Sequence, residues 1–333
     1  MTIEARTLLP IADQAVSVAS EIIRTRAPGV VTAKGDRDMA TEVDYTVEDA
    51  VREFLSRETP EIGFLGEEEG VSRMGDGLMW ALDPVDGTAN FLHGIPLCGV
   101  SLGLLDKDTS TLGVIDLPFL NLRYSAAEES GAFVNGSEIH VSDARELQSA
   151  IVAIGDYAVG EGADERNRPR LALTQELAAR VQRIRMFGAA AIDLAWVADG
   201  KIDANIMLSN NPWDTAAGVI IAREAGATVV DLDGSPHSMT SHATIAASPG
   251  SWPTSWNSSL RRMRPAGPTG TLPNSSCRYQ ERPCAPPRGP TLRPEGRHGW
   301  VRTRAARRKP ASLSMGSQLP CQPKPCNQLE LCD

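Results

Sequence analysis

The chain has 333 residues, a formal net charge of −9, 41% hydrophobic and 23% charged residues, a balance that suits a folded globular protein. The charge is unevenly placed: residues 1–250 carry 19 basic and 38 acidic side chains, residues 251–333 carry 14 basic and 4 acidic ones. The acidic part excludes a general nucleic-acid binder, because phosphate backbones are gripped by Lys and Arg. No apolar run reaches the roughly 18 residues that a membrane span needs. The N-terminus also lacks the charged-then-apolar pattern of a signal peptide. Cys98 is the one cysteine before residue 251, so no disulfide framework is expected. These features predict a cytoplasmic protein with neither nucleic acid nor membrane as partner.

Apolar residues at helical spacing (Leu8, Ile11, Ala15, Val18, Ala19, Ile22) predict a helix over 8–27, stopped by Pro28-Gly29. A second helix is expected over 46–55. Buried strands are expected at 62–65 and 78–82, each ending at acidic residues, and further strands at 97–105, 112–115, 123–126 and 150–154. Helices at 171–181, 189–198 and 215–225 alternate with strands at 202–208, 228–230 and 244–247. Interleaved strands and helices argue for sheets covered by helices. About 250 residues can bury a large core, expected over 1–250 as two sub-domains, about 1–145 and 146–250.

Residues 251–333 hold 13 of the 23 prolines and five of the six cysteines, a composition expected to be disordered. One origin for it is a shift of reading frame near Gly250. Ser251 to Ser259 can be encoded so that a two-base shift reads Leu-Ala-Asp-Glu-Leu-Glu-Gln-Leu, an amphipathic helix suited to closing a domain. A natural basic tail is the alternative. The nucleotide sequence decides: with no helix-forming sequence in another frame, the idea fails.

The chemistry concentrates in short acidic pieces: Asp44, Glu67-Glu68, Asp83-Pro84-Val85-Asp86-Gly87-Thr88 and Trp213-Asp214. So many carboxylates in one site need cations among them, and hard oxygen ligands select Mg²⁺, Mn²⁺ or Ca²⁺. Asp83 ends the apolar run Leu78 to Leu82, where a carboxylate faces a ligand crevice. Pro84 is expected to turn the chain away from the sheet, leaving Asp83, Asp86 and the Val85 carbonyl on one side. Gly87 permits close approach, and Thr88 opens a segment whose N–H groups can hold phosphate oxygens. A plain Asx-Pro turn with satisfied carboxylates is the bland reading of this stretch. Glu67 would ligate a cation and orient water, with Glu68 behind it; alone, both would be solvated loop residues. Asp214 could equally be a helix N-cap, and Asp44 a cap for the 46–55 helix. The five histidines form no zinc pair. No nucleophile elbow, P-loop or dinucleotide motif appears, and Cys98 reads as a buried strand residue.

Asp44, Gly66-Glu67-Glu68, Trp80 to Pro96 and Trp213 to Ala217 resemble the inositol monophosphatase family of lithium-sensitive, Mg²⁺-dependent phosphatases. Lys34 to Asp44, Gly188-Ala189-Ala190 through Asp203 and Glu224-Ala225-Gly226 support the match, which spans roughly 5–250. The resemblance implies an α/β fold, an αβαβα five-layer sandwich, often in a homodimer. It implies one Mg²⁺ on Glu67, Asp83 and the Val85 carbonyl, a second on Asp83, Asp86 and Asp214, and a third, weaker site near Asp44. Gly87 and Thr88 would hold the phosphate, and Thr88 with Glu67 would activate water for in-line attack without a phosphoenzyme.

Two positions depart from the family pattern. Where inositol-hydrolysing members carry a Glu seven residues before the tryptophan-linked Asp, this chain has Met207; after Gly188 it has Ala189 before Ala190. An unreplaced buried acceptor is worth about 1–3 kcal/mol; Ser209, Asn210 and Asn211 are candidate replacements. The expected activity is a Mg²⁺-dependent phosphomonoesterase on a small polyol or cyclitol phosphate. Inositol 1-phosphate comes first, then histidinol phosphate or an aminocyclitol phosphate. A catalytically silent interaction protein with the same fold is the alternative from another class.

Overall fold

The computed structural model describes residues 4–35, 39–73 and 77–249. The 251–333 segment, with the frame-shift question it raises, lies outside them. In chain order the elements are α1 (Leu9–Thr25), β1 (Val31–Ala33), β2 (Met39–Thr41), α2 (Glu42–Glu58), β3 (Gly63–Gly66), β4 (Gly70–Arg73), β5 (Leu78–Asp86), α3 (Thr88–Leu92), β6 (Gly99–Asp106), β7 (Thr109–Leu117), β8 (Leu122–Ala127), β9 (Ala132–Val134), β10 (Ser137–Ile139), β11 (Ile151–Ile154), α4 (Ala163–Ala178), β12 (Arg183–Arg185), α5 (Ala190–Ala198), β13 (Ala204–Met207), α6 (Pro212–Glu224), β14 (Thr228–Val230) and β15 (Thr244–Ala247), with two short 3₁₀ turns besides.

Strands β10-β9-β8-β7-β6-β5-β3-β4 form an eight-stranded sheet, β12-β11-β13-β15-β14 a five-stranded one, and β1-β2 a hairpin. β3 runs parallel to β5, and β11 runs parallel to both β12 and β13. Helices α1 and α2 cover one face of the large sheet, while α5 and α6 lie between its other face and the small sheet. Leu173 and Leu177 of α4 pack on Val152 and Ile154 on the far side of the small sheet. The order of layers is therefore α-β-α-β-α. Two glycines set the spacing of the middle layer. A Cβ on Gly103 would stand 2.5 Å from that of Ala216, and one on Gly113 would stand 2.5 Å from the Ala217 carbonyl oxygen. Glycine at these points lets the first turns of α6 lie against the strands.

Three local expectations are corrected. α2 starts at Glu42 instead of 46, because Thr41 and Asp44 form a reciprocal cap: Thr41 Oγ1 accepts from the Val43 amide at 3.2 Å and Asp44 Oδ2 accepts from the Thr41 amide at 2.9 Å. β5 does not turn away at Pro84 but continues to Asp86. Its register against β6 slips there, with Asp83 opposite Ser101 and Asp86 opposite Gly99. Three steps on one strand oppose two on the other, so Pro84, which has no N–H, sits at a bulge. α4 starts at Ala163, earlier than the expected 171, and runs through Pro169. Its N-terminal half buries no side chain, so no periodic signal marked it; Arg180 and Val181 close onto the Leu177 carbonyl and end it before 181.

Candidate active site

The bulge in β5 is the centre of the site. Residues three apart on a regular strand point to opposite faces; the extra residue at Pro84-Val85 returns Asp86 to the side of Asp83. Asp83 is 3% and Asp86 8% exposed. Asp83 Oδ1 accepts from the Val85 amide at 3.0 Å. Asp86 receives the first two amides of α5, Ala190 to Oδ1 at 3.1 Å and Ala191 to Oδ2 at 2.5 Å, where a helix N-terminus favours negative charge. Asp214 lies in the first turn of α6, partly buried, and takes a 2.9 Å bond from Asn211 Nδ2. The N-cap position is Asn211, so Asp214 is not the cap.

Glu67 follows β3, its amide bonded to the Leu82 carbonyl at 3.1 Å. Lys34 Nζ reaches Glu67 Oε1 and Glu68 Oε1, both at 2.9 Å. Thr88 Oγ1 donates to the Val85 carbonyl at 2.9 Å and to Asp44 Oδ1 at 3.2 Å. Asp44, fully buried, also takes the Thr41 amide and hydroxyl. Its visible work is to hold Thr88 against the start of α2. Gly87 adopts φ 87°, and a Cβ there would approach the Leu97 carbonyl to 2.9 Å, so the turn between β5 and α3 requires glycine.

Burial dominates the electrostatics. It raises Asp83 well above the ordinary carboxylate value, and the charges of Glu67, Asp86 and Asp214 raise it further. Asp214 is raised by burial and then by Asp86 and Glu67. Asp86 is pushed up to about 7, chiefly by burial against the pull of the two α5 amides. Glu68 also rises to about 7 through burial, Lys34 opposing. Among the described residues no three His, Cys, Asp or Glu side chains are already arranged as a metal cage; their oxygens are turned to Lys34, the Val85, Ala190 and Ala191 amides and Asn211. Four carboxyls from three separate stretches nevertheless sense one another at one point. Such a set of hard, mutually repelling oxygens fits Mg²⁺-type cations in its donor chemistry.

A pH dependence follows. Carboxyls with raised folded values stabilise the fold below their unfolded values, and that contribution is lost as pH rises through the folded ones. With Asp86 and Glu68 near 7, the melting temperature of the chain in chelator should fall between about pH 4 and pH 8. Mg²⁺ should restore it at the upper end. A melting temperature that climbs over that range in chelator would contradict the picture.

Sequence reading missed several supports of the site. Glu48, 1% exposed on α2, accepts the amides of Glu68 at 2.8 Å and Glu69 at 3.1 Å and is bridged by Arg52 Nη2 at 2.9 Å. A Cβ on Gly66 would fall on the Glu48 carboxyl, so Gly66 and Glu48 together fix the loop bearing Glu67. Replacing Glu48 by Gln removes one acceptor and should raise the Mg²⁺ concentration for half-maximal activity about tenfold; an unchanged Mg²⁺ titration would refute this. Asn90 Nδ2 donates to the Leu97 and Phe187 carbonyls, both at 2.7 Å, tying α3 to the approach of α5. Cys98 is buried just before β6, its thiol pushed up to about 12 by burial and the Asp86 and Asp44 charges, as suits a structural residue.

On the alcohol side, Met207 is 5% exposed at the end of β13, in one apolar cluster with Ala190. Neither asparagine offered as a replacement acceptor is disengaged. Asn210 donates to the Ser238 and Ser241 carbonyls and accepts from Thr215, and Asn211 holds Asp214.

An acidic centre at strand ends and helix N-termini, inside five alternating layers, is the framework of a hydrolase for anionic phosphate esters. The comparisons agree. The sequence profile of the inositol monophosphatase family matches residues 4–263. A fructose-1,6-bisphosphatase/inositol-1-monophosphatase of Thermotoga maritima is 35% identical over 209 residues, 63% of this chain and 77% of that protein. A probable inositol 1-monophosphatase, ImpA, of Mycobacterium tuberculosis is 35% identical over 246 residues, 72% of this chain and 90% of that one. Among solved structures, an inositol monophosphatase from Anabaena superposes with a TM-score of 0.68 at 32% identity, covering 78% of this chain and 98% of that one. The chain belongs to the inositol monophosphatase family and is a phosphomonoester hydrolase. Among its described residues no helix is long and apolar enough to cross a membrane.

Proposed function

We propose that the chain is a Mg²⁺-dependent phosphomonoesterase for a small polyol or cyclitol phosphate. The observation that carries this is the β5 bulge, which returns Asp86 to the side of Asp83, with the charges of Glu67 and of Asp214 in the first turn of α6 acting on the same point. Glu67, Asp83 and the Val85 carbonyl would hold one Mg²⁺, and Asp83, Asp86 and Asp214 a second. Asp44 would stand near a weaker third site, and Glu68 would support Glu67 from behind. Bound Mg²⁺ would supply Lewis acidity toward water and the phosphoryl oxygens. The backbone of Gly87 and Thr88 would seat the phosphate, with Asp86, Ala190 and Met207 lining the approach of the alcohol. The Thr88 hydroxyl has one hydrogen for two acceptors, so its lone pairs remain open to a water proton; Glu67 would orient that water.

Inositol 1-phosphate is the first substrate to test, in keeping with the names of the relatives. Met207 in place of a carboxylate favours histidinol phosphate or an aminocyclitol phosphate as second readings. A homodimer, inhibition by Li⁺ and a cytoplasmic location belong to the same proposal. Phosphate release from these esters, with and without Mg²⁺ and then with Li⁺, tests it. Release should need the divalent cation and fall with Li⁺. Turnover in chelator, or none of any ester with Mg²⁺, would overturn the reading.

A further inference from the structure

Behind the first turn of α6 lies a network of side chains that the proposed reaction does not use. His237, in the segment between β14 and β15, is 4% exposed. Its Nε2 stands 3.2 Å from Asn210 Oδ1 and 3.1 Å from Thr244 Oγ1. The Asn210 amide nitrogen donates to the Ser238 and Ser241 carbonyls at 3.0 and 3.1 Å. Two carbonyl acceptors on that side fix the amide one way round, with Oδ1 toward His237. An amide oxygen only accepts, so His237 carries its proton on Nε2. Its Nδ1, buried with no hydrogen-bond partner among the described residues, is then a bare acceptor and not a stranded donor. Burial, then the Arg223 charge, pushes the ring down to about 4 against the pull of Asp231, which keeps it singly protonated at neutral pH. Asn210 Oδ1 also accepts from Thr215 Oγ1 at 2.9 Å. With Asn211 at the N-cap of α6, Asn210 and Thr215 occupy the two positions that a hydrophobic staple commonly joins across a helix start. Here a hydrogen bond joins them. Asp214 is the neighbour of Thr215, and Asn211 bonds Asp214 Oδ2 at 2.9 Å. At the other end of α6, Arg223 Nη2 donates to the His237 carbonyl at 2.6 Å.

Resting on the phosphatase reading, we infer that His237 is a positioning residue for Asp214: its Nε2–H holds the Asn210 amide, and that amide holds the first turn of α6 in the attitude that presents Asp214 to a cation. One side chain thereby joins two segments. The Asn210 nitrogen grips the 238–241 loop, and its oxygen grips the helix start. The Thr215 and Thr244 hydroxyls that also reach this oxygen each have a second acceptor, the Asn211 carbonyl at 2.9 Å and the Ser209 carbonyl at 3.4 Å. A hydroxyl proton can rotate from one acceptor to the other. The imidazole N–H is fixed in the ring plane, so His237 is the donor that keeps the amide in place. Groups that orient a metal ligand from behind set how tightly the metal is held.

The test has two arms, both on the full chain. Long-range ¹H–¹⁵N spectra at neutral pH, with the His237 ring assigned by its loss in His237→Gln, should show the proton on Nε2. A proton on Nδ1, or on both nitrogens, overturns the inference. In the second arm Mg²⁺ is titrated against phosphate release and against the melting temperature. His237→Phe keeps a ring without a donor. It should raise the Mg²⁺ concentration for half-maximal release about tenfold, with kcat at saturating Mg²⁺ within about threefold. The Mg²⁺-induced rise in melting temperature should need the same excess. His237→Gln, whose amide nitrogen can take the place of Nε2, should bring both titrations back toward the unaltered chain. If His237→Phe does not fold, Thr215→Val, which deletes the hydroxyl on the far side of Asn210, carries the same expectation. His242→Gln, an exposed change in the same segment, should shift neither titration. Unshifted Mg²⁺ titrations in His237→Phe and Thr215→Val, or a shift as large in His237→Gln as in His237→Phe, overturn the positioning role and leave the phosphatase standing. No hydrolysis of any proposed ester by the unaltered chain with Mg²⁺ overturns the phosphatase reading and this inference with it.

Discussion

Asp83→Asn should reduce Mg²⁺-dependent phosphate release by at least about 10³-fold, since it removes the one carboxylate proposed to serve both cations. The same change should leave the chain no less stable in chelator. Asp83 is 3% exposed and its charged form is opposed by burial and by Glu67, Asp86 and Asp214, so a neutral isostere relieves repulsion. The two effects separate in one melting experiment. Saturating Mg²⁺ at 100 times its dissociation constant should stabilise the unaltered chain by about 2.7 kcal/mol, and the variant should gain much less. A variant that keeps its activity, or gains as much from Mg²⁺, would remove Asp83 from the centre of the site.

Gly113→Val should cost about 3 kcal/mol or more and abolish activity at a distance. The new Cβ would stand 2.5 Å from the Ala217 carbonyl oxygen and 2.6 Å from its Cα. These are backbone atoms of a helix and cannot yield as a flexible side chain would. To relieve the contact α6 must move off the sheet, and Asp214 sits in its first turn. Thermal melts and phosphate release measure the two consequences. A variant with an unaltered melt would show that α6 is not seated on β7 as described.

Much of this arrangement was legible beforehand, for specific reasons. The strand ending at Asp83 announced itself as the apolar run Leu78 to Leu82, which is buried from Trp80 onward. Helix α1 was marked by its 3.6-residue period, although the buried stripe runs through Ala12, Val16 and Ile23, with Ile11 and Ile22 at its flank. Strand β1, the edge strand β12 and the polar half of α4 had no such signal. They bury little, and backbone pairing leaves no mark on side-chain periodicity.

The sequence by itself determined which groups could do chemistry: the carboxylates, the Gly87 turn, the alternation of strands and helices, and the membership those motifs imply. Only the tertiary structure decided how they meet. It replaced the expected turn at Pro84 by a bulge that puts Asp83 and Asp86 on one side, and gave Asp44 to the α2 cap and Thr88. It also brought Glu48 to the loop bearing Glu67 from a position with no motif of its own. The reason is that a local pattern encodes the conformation of neighbours in the chain, whereas burial, charge coupling and hydrogen-bond satisfaction depend on contacts across 20 to 100 residues, which exist only once the layers have packed.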